Sequence, residues 1–462
     1  MTNIVFFGPE NVGKSTMIGY IYCKSLDQEQ YNQEIERIKY KMGSGFQQDR
    51  LYSYFLDRAK DEREKQIQNK KETHGTSKYA HLKATLTNKG KEILFIDTPG
   101  APEYLQQKIQ GVSMASIGVF AIEVKQLTSR SDTNETIAYN NFNKFFSTWF
   151  LWKKMSGLKK SIIILTKYDQ CDGESDIKEA ESNLAMLLGD DIKETIIIPT
   201  SVTAETDINV TTKMSDDWYK GPCLMDALVE KCKVVEKENS DMPLLMFHIK
   251  NHKEYNQSSL SQWKILQGMI SSRDRVKIAP VELNDKSARG VNKYTSVEAT
   301  IDSISPYNAN YRDDCYDENA YSGSVNDIML NIIGRANCSI SPTAIAVKPD
   351  EELSIGSCME LELRKDNCTE EEWLEILKIY PKKQLSVLWF SRIVNVRAEE
   401  SSCIQPDLYR LRLSIDGNGK FALPNRKVQQ QMIMLRIQLD HIIDGKSTKL
   451  TTAVRARVLD IN

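Results

Sequence analysis

A doubly wound α/β domain followed by two antiparallel β-barrels is the architecture this sequence predicts, and three observations predict it. Over residues 1–230, short apolar runs alternate with stretches of helical period, the pattern of strands buried in a mostly parallel sheet and the helices that cover them. The first apolar run, Asn3–Phe7, feeds a glycine-containing loop and then a helix over Lys14–Ser25. After Glu238 the character changes, and short β-rich runs broken by turn residues take over.

The remaining elements follow in order. Residues 26–71 are polar and charged, and "QEIERIKYKMG" within them has a helical period. Ile93–Ile96, Ile117–Val124, Ser161–Leu165 and Thr195–Ile198 are further buried-strand candidates, separated by helical stretches at 103–113, 134–155, 174–188 and 221–235. Strands are then expected to include 243–249, 263–270, 274–280, 295–304, 355–364, 384–397, 407–414 and 451–460. The tyrosine-rich run 305–324 reads as a long loop, and 366–378 as a helix inserted between strands, with Thr369 ahead of an acidic first turn. At 462 residues the length favours three domains, expected at 1–238, 239–340 and 341–462.

Composition excludes several classes. A net charge of -2 and a pI near 6.3 do not advertise nucleic acid over the whole surface, so any RNA contact must come from local basic stripes. None of the nine cysteines forms a C-x-x-C pair, which argues against zinc; the odd count and the lack of a charged and apolar leader in residues 1–8 point to reduced thiols in a cytoplasm. No run of 18 apolar residues occurs, so no membrane-spanning helix is expected.

Four motifs carry the chemistry. "GPENVGKS" (8–15) fits G-x-x-x-x-G-K-[ST] between a buried strand and a helix, the placement the mechanism requires. Gly8 and Gly13 let the backbone wrap a β-phosphate, and the amides of the run Asn11, Val12, Gly13, Lys14, Ser15 and Thr16 line the cradle. Lys14 sets a point charge against the β- and γ-phosphates, and the Ser15 hydroxyl is a Mg²⁺ ligand. "FIDTPG" (95–100) closes a strand with Asp97, a second Mg²⁺ ligand, while the Gly100 amide meets the γ-phosphate. Alone, D-x-x-G is usually a plain turn; its distance from the phosphate loop gives it weight.

"TKYD" (166–169) follows the strand "SIIIL" and reads a base. Asp169 can accept two hydrogen bonds from the guanine ring N–H and amino group, a donor pair adenine lacks. Lys167 can lie along base and ribose, and Thr166 stands where asparagine is usual. "IIIPTSVT" (196–203) adds Ser201 and Val202, whose backbone can meet guanine O6. The four occur in the order that a GTP/GDP site of a P-loop GTPase needs.

With these motifs in place, the chain resembles a translation-factor GTPase, of the group formed by elongation factor 1-alpha, the class-II release factor and the Pelota-partner rescue GTPase. Residues 19–64, ending "LDRAKDERE", resemble that group's helical insertion; "DWYKGPCLMDALVE" (217–230) resembles the segment that ends its G domain; "ILQGMISSRDRVKIAP" (265–280) is similar to a strand pair of its second domain. The terminal "LTTAVRARVLDIN" sits where the last barrel strand of the family lies. The resemblance implies GTP/GDP and Mg²⁺ as ligands, the ribosome as partner, and tRNA or a tRNA-mimicking release or rescue factor as cargo carried by a free monomer. The GTPase subunit of sulfate adenylyltransferase shares the insertion and is a less favoured match.

The departures bear on hydrolysis. The family follows D-x-P-G with a histidine that orients the attacking water, and here Ala101 occupies that place, so no catalytic residue is assigned. Loss of such a group costs roughly 10²–10⁴ in rate, and weakened hydrolysis is expected. His74 and His81 lie in no position carried by the motif. The family sets "RGIT" directly after "ERE", with its threonine on Mg²⁺; here Gln68 falls at that spacing, and an insertion would leave Thr76 or Ser77 as the ligand. The alternative is a GTP-binding scaffold that does not hydrolyse. Two further features read more plainly: the aromatic stretch 142–154 as core, and the alternating arginines of "LYRLRLS" and "VRARV" as solvated strand faces.

Overall fold

The computed structural model describes residues 2–56, 80–86, 91–100, 104–128, 158, 160–188, 192–193, 195–203, 207–235, 242–254, 258–283, 293–306, 319–321, 325–333, 338–368, 370–390, 392–416, 419–425, 432–443 and 446–461. Two compact units divide it, Met1–Glu238 and Asn239–Asn462.

The first unit is built on strands β1 (Thr2–Phe7), β2 (Ala80–Leu86), β3 (Lys91–Asp97), β4 (Ile117–Glu123), β5 (Lys160–Thr166) and β6 (Ile196–Pro199), in the sheet order β2-β3-β1-β4-β5-β6. β1 pairs in parallel with both β3 and β4, and only β2 runs antiparallel, along the β3 edge. Every residue of β1 is buried, which explains the unbroken apolar text of Ile4–Phe7: both faces are covered, so no polar alternation survives there. Helices α1 (Lys14–Ser25) and α2 (Gln28–Met42) follow; Asp27 caps α2 in a reciprocal box with Gln30, worth about 1 kcal/mol. Among the described residues, helices α3 (Leu105–Ser113), α4 (Glu174–Leu188) and α5 (Leu224–Val235) follow, with the short pair β7 (Ser201–Val202) and β8 (Asp207–Ile208) after β6 in the chain. Phe6, Ile18, Ile21, Phe95, Ile162 and Leu228 belong to one buried core. The chain leaves β1 for β3 on one side and β4 on the other, so the loop after β1 opens at the point where strand order reverses, the usual place for a ligand.

The second unit holds two closed barrels. Its strands are β9 (Leu245–Glu254), β10 (Ser258–Gln267), β11 (Met269–Ser271), β12 (Arg275–Leu283), β13 (Lys293–Pro306), β14 (Asn319–Tyr321), β15 (Val325–Ile332), β16 (Cys338–Val347), β17 (Leu353–Gly356), β18 (Cys358–Arg364), β19 (Gln384–Trp389), β20 (Arg392–Gln405), β21 (Leu408–Ile415), β22 (Phe421–Pro424), β23 (Met432–Ile443) and β24 (Lys446–Ile461). The first barrel closes as β10-β15-β13-β12-β16-β9 and the second as β18-β21-β20-β19-β23-β24. Trp263, Ile278, Ile301 and Leu330 fill the first. Phe247 of β9 stacks on Phe390 at 5.1 Å, and Arg392 donates to the Ile249 carbonyl at 3.0 Å, joining the barrels.

The fold is an α/β domain with a mostly parallel sheet, followed by antiparallel barrels. Several details differ from the sequence expectation. β16 runs across the expected 340/341 division, because its tail pairs with β12 of the first barrel. The run 384–397 is two strands, turning at Phe390 with φ 48°, a left-handed position that an aromatic residue does not signal. Asn319–Tyr321, inside the expected loop, pairs with β11; much of that loop, the aromatic stretch 142–154, Thr369 and His74 lie outside the described residues. Helix α6 (Glu370–Leu377) occupies the predicted insertion. Arg410 lies 4.0 Å from Glu360 and Arg412 3.9 Å from Glu400, and Arg457 stands opposite Glu362, so arginines on this barrel face carboxylates. Among the described residues no helix is long and apolar enough to cross a membrane, and no cluster of metal-binding side chains occurs.

Candidate nucleotide-binding site

The site assembles along the ends of β1, β3, β4 and β5. After Phe7 the chain makes a loop that ends at Gly13, whose φ of 86° is left-handed and favours glycine, and α1 then begins at Lys14. Asn11 is also left-handed, at φ 60°, a conformation asparagine tolerates better than most residues. Val12 is buried in the core, whereas Thr16 is half-buried on the first turn of α1. This places the orphan N–H groups of the helix start behind the loop, a ready anion cradle.

Lys14 folds over this loop. Its ammonium donates to the carbonyls of Gly8 at 3.1 Å and Pro9 at 2.6 Å. Burial pushes its pKa below the usual lysine value, while the carboxylates of Asp97 and Glu10 act in the opposite direction. Ser15 donates to Asp97 Oδ2 at 2.5 Å, although 82 residues separate them. The parallel register brings them together: Phe6 pairs with Asp97, and Thr98 donates to the Phe6 carbonyl at 2.9 Å. A hydroxyl and a fully buried carboxylate at one point form the hard oxygen donor set suited to Mg²⁺. Gly100 lies against the loop so closely that a Cβ on it would stand 2.4 Å from Glu10 Cα, so no side chain fits there.

The base-reading turn is organised from β5. Thr166 donates to the Ile122 carbonyl at 3.1 Å, and Lys167 turns the chain at φ 58°. Thr200 N donates to the Leu165 carbonyl at 2.7 Å and Tyr168 N to the Thr200 carbonyl at 3.3 Å, which sets Ser201 and Val202 beside the turn. The Ser201 hydroxyl donates to Asp169 Oδ1. Asp169 is exposed rather than buried. Tyr168 sits beside Trp218 and donates to Asp216 at 3.0 Å; burial and that bond push its pKa up to about 12. Ala101, Thr76 and Ser77 lie outside the described residues.

Two residues escaped the sequence reading. Glu123, the last residue of β4, accepts from the Lys167 ammonium at 2.9 Å. Its signal was a charge closing an otherwise apolar strand. Lys108, in α3, donates to the Gly100 carbonyl at 2.6 Å and is 1% exposed. The Glu123–Lys167 pair is partly exposed, so its worth is about 0.5–1 kcal/mol. Glu123→Ala is therefore expected to speed release of a fluorescent guanine diphosphate by about two- to fivefold in stopped flow, with the melting temperature held; an unchanged rate would show that Lys167 needs no such support.

The family model for the elongation factor Tu GTP binding domain matches residues 1–248. Elongation factor 1-alpha of Pyrobaculum islandicum is 32% identical over 233 residues, covering 49% of this chain and 47% of the relative. The factor of the same name from Methanocaldococcus jannaschii is 26% identical over 244 residues, covering 52% of each. The matches thus span about half the length of these relatives. Among solved structures, a bacterial selenocysteine-specific elongation factor, EF-Sec, superposes over 100% of this chain and 59% of its own with a TM-score of 0.52 at 15% identity. Elongation factor SelB of Methanococcus maripaludis, solved with the GTP analogue GppNHp, gives 0.52 at 12% identity, over 100% of this chain and 79% of its own. At such identities the structures speak for the fold alone, but the family model covers more than half of the 462 residues, and the chain belongs to the translation-factor GTPase family.

Proposed function

We propose that this protein is a GTP-dependent carrier switch that works on the ribosome. GTP and GDP bind through Gly8, Asn11, Val12, Gly13, Lys14, Ser15 and Thr16 at the phosphates, Gly100 at the terminal phosphate, and Thr166, Lys167, Asp169, Ser201 and Val202 at the base. Mg²⁺ is held by Ser15 and Asp97, with Thr76 or Ser77 completing the set; when bound it neutralises charge on the β- and γ-phosphates. The observation that supports this reading is the meeting of Ser15 with Asp97 and of Ser201 with Asp169 at the ends of strands of one sheet.

The cargo is tRNA or a tRNA-mimicking release or rescue protein, carried by a monomer in the cytoplasm. A protein cargo is favoured: the carboxylates facing Arg410, Arg412 and Arg457 weaken that barrel as a phosphate-binding stripe. Hydrolysis is weak because Ala101 offers neither donor nor acceptor to water. Single-turnover GTP hydrolysis with and without ribosomes tests the reading. Slow turnover that ribosomes accelerate is expected. Nucleotide binding with no ribosome effect would instead favour a scaffold that does not hydrolyse.

A further inference from the structure

Helix α3 carries a lysine where its packing calls for an apolar residue. Ile109 and Val112 are 3% and 1% exposed, and Lys108 on the same helix is 1% exposed. Burying an ammonium is costly unless hydrogen bonds compensate, and a methionine or leucine would fill such a space without that cost. The Lys108 ammonium donates to the Gly100 carbonyl at 2.6 Å. Gly100 in turn presses on the phosphate loop, with its would-be Cβ 2.4 Å from Glu10 Cα and 2.6 Å from Glu10 N. From the same loop, the Pro9 carbonyl accepts from Lys14. A buried cation on α3 is thus connected to the phosphate loop through Gly100.

We infer that Lys108 is a positioning residue that makes the site prefer a nucleoside triphosphate over a diphosphate, an inference that rests on the nucleotide reading above. The diphosphate is held by Lys14 and the amides of the run from Asn11 to Thr16. The terminal phosphate extends toward the turn from Asp97 to Gly100, and that turn is what the ammonium holds. Lys108 acts there in two ways at once. It fixes the Gly100 backbone in the place from which an amide can meet the terminal phosphate. It also adds a desolvated positive charge on the side where the triphosphate carries its additional negative charge, and such a charge is little screened by salt.

The test measures GDP and GppNHp affinity by calorimetry for the full chain and for Lys108→Met and Lys108→Arg. Lys108→Met is expected to keep GDP affinity within about threefold and to weaken GppNHp at least tenfold, with Lys108→Arg between it and the parent. Equal losses for both nucleotides, or no loss for either, would overturn the assignment and leave Lys108 a packing residue. Should Lys108→Met fail to melt cooperatively, amide exchange in the parent protein decides: slowing across Tyr104–Ser113 with GppNHp but not with GDP supports the assignment, and equal slowing refutes it. A parent chain that binds neither nucleotide sinks the nucleotide reading itself, which is a different result from binding both and ignoring the substitution.

Discussion

Replacing Asp169 with asparagine is expected to lower guanine-nucleotide affinity by about 10²–10³-fold and to confer measurable affinity for xanthine nucleotides. The cause is donor and acceptor geometry. Guanine offers a ring N–H and an amino group side by side, and a carboxylate accepts from both. An asparagine amide turns one acceptor into a donor, which opposes the guanine amino group and complements the C2 carbonyl of xanthine. A charge-assisted hydrogen bond is worth about 1.5–3 kcal/mol; one is lost outright, the other keeps only neutral strength, and the unpaired amino group adds its own desolvation cost, which together give the stated loss. Ser201 donates to one oxygen of Asp169 and orients the carboxylate, so Ser201→Ala should show the same trend at smaller size. Calorimetry with GDP and with XDP checks both variants. Unchanged GDP affinity in Asp169→Asn would mean that the T-K-x-D turn does not read the base.

Restoring the missing imidazole is expected to have an effect of similar size on rate. Ala101→His should raise ribosome-stimulated single-turnover GTP hydrolysis by about 10²-fold or more, since a positioned general acid–base group contributes roughly 10²–10⁴. GDP affinity should not change, because the substitution lies beyond the diphosphate cradle. Quench-flow with ribosomes in excess measures the rate. No acceleration would show that the absent histidine does not limit hydrolysis, and would direct attention to the altered segment around Gln68, Thr76 and Ser77.

Much of this was legible in the sequence because its carriers are local. The phosphate loop reads from eight consecutive residues with a buried strand before it and a helix after it. The Ser15–Asp97 meeting was foreseeable although the two are 82 positions apart, because each residue closes a motif that follows or ends a strand and a parallel sheet aligns such ends. The pairing of Lys167 with Glu123 and of Lys108 with Gly100 was not foreseeable. Glu123 resembles any strand-ending charge and Lys108 any helix lysine; only their neighbours distinguish them. β15 and β16 were also missed, since Asn326 and Asp327 interrupt the apolar pattern of one and Pro342 that of the other.

By itself the sequence determined the α/β class of the first unit, the switch to β structure after Glu238 and the order of the four nucleotide motifs. Periodicity within a short window reports which side of each segment faces water, and that is enough to name elements and to recognise local motifs. The tertiary structure alone decided which strands close each barrel, that β16 belongs to the first, that arginines of the second face carboxylates, and that a lysine of α3 lies under the glycine of the D-T-P-G turn. Those outcomes depend on which distant segments come into contact once the chain has closed on itself, and on how well a buried charge is compensated there. No local pattern carries that information, because the cost of a buried ammonium is set by the partner it meets and not by its position in the chain.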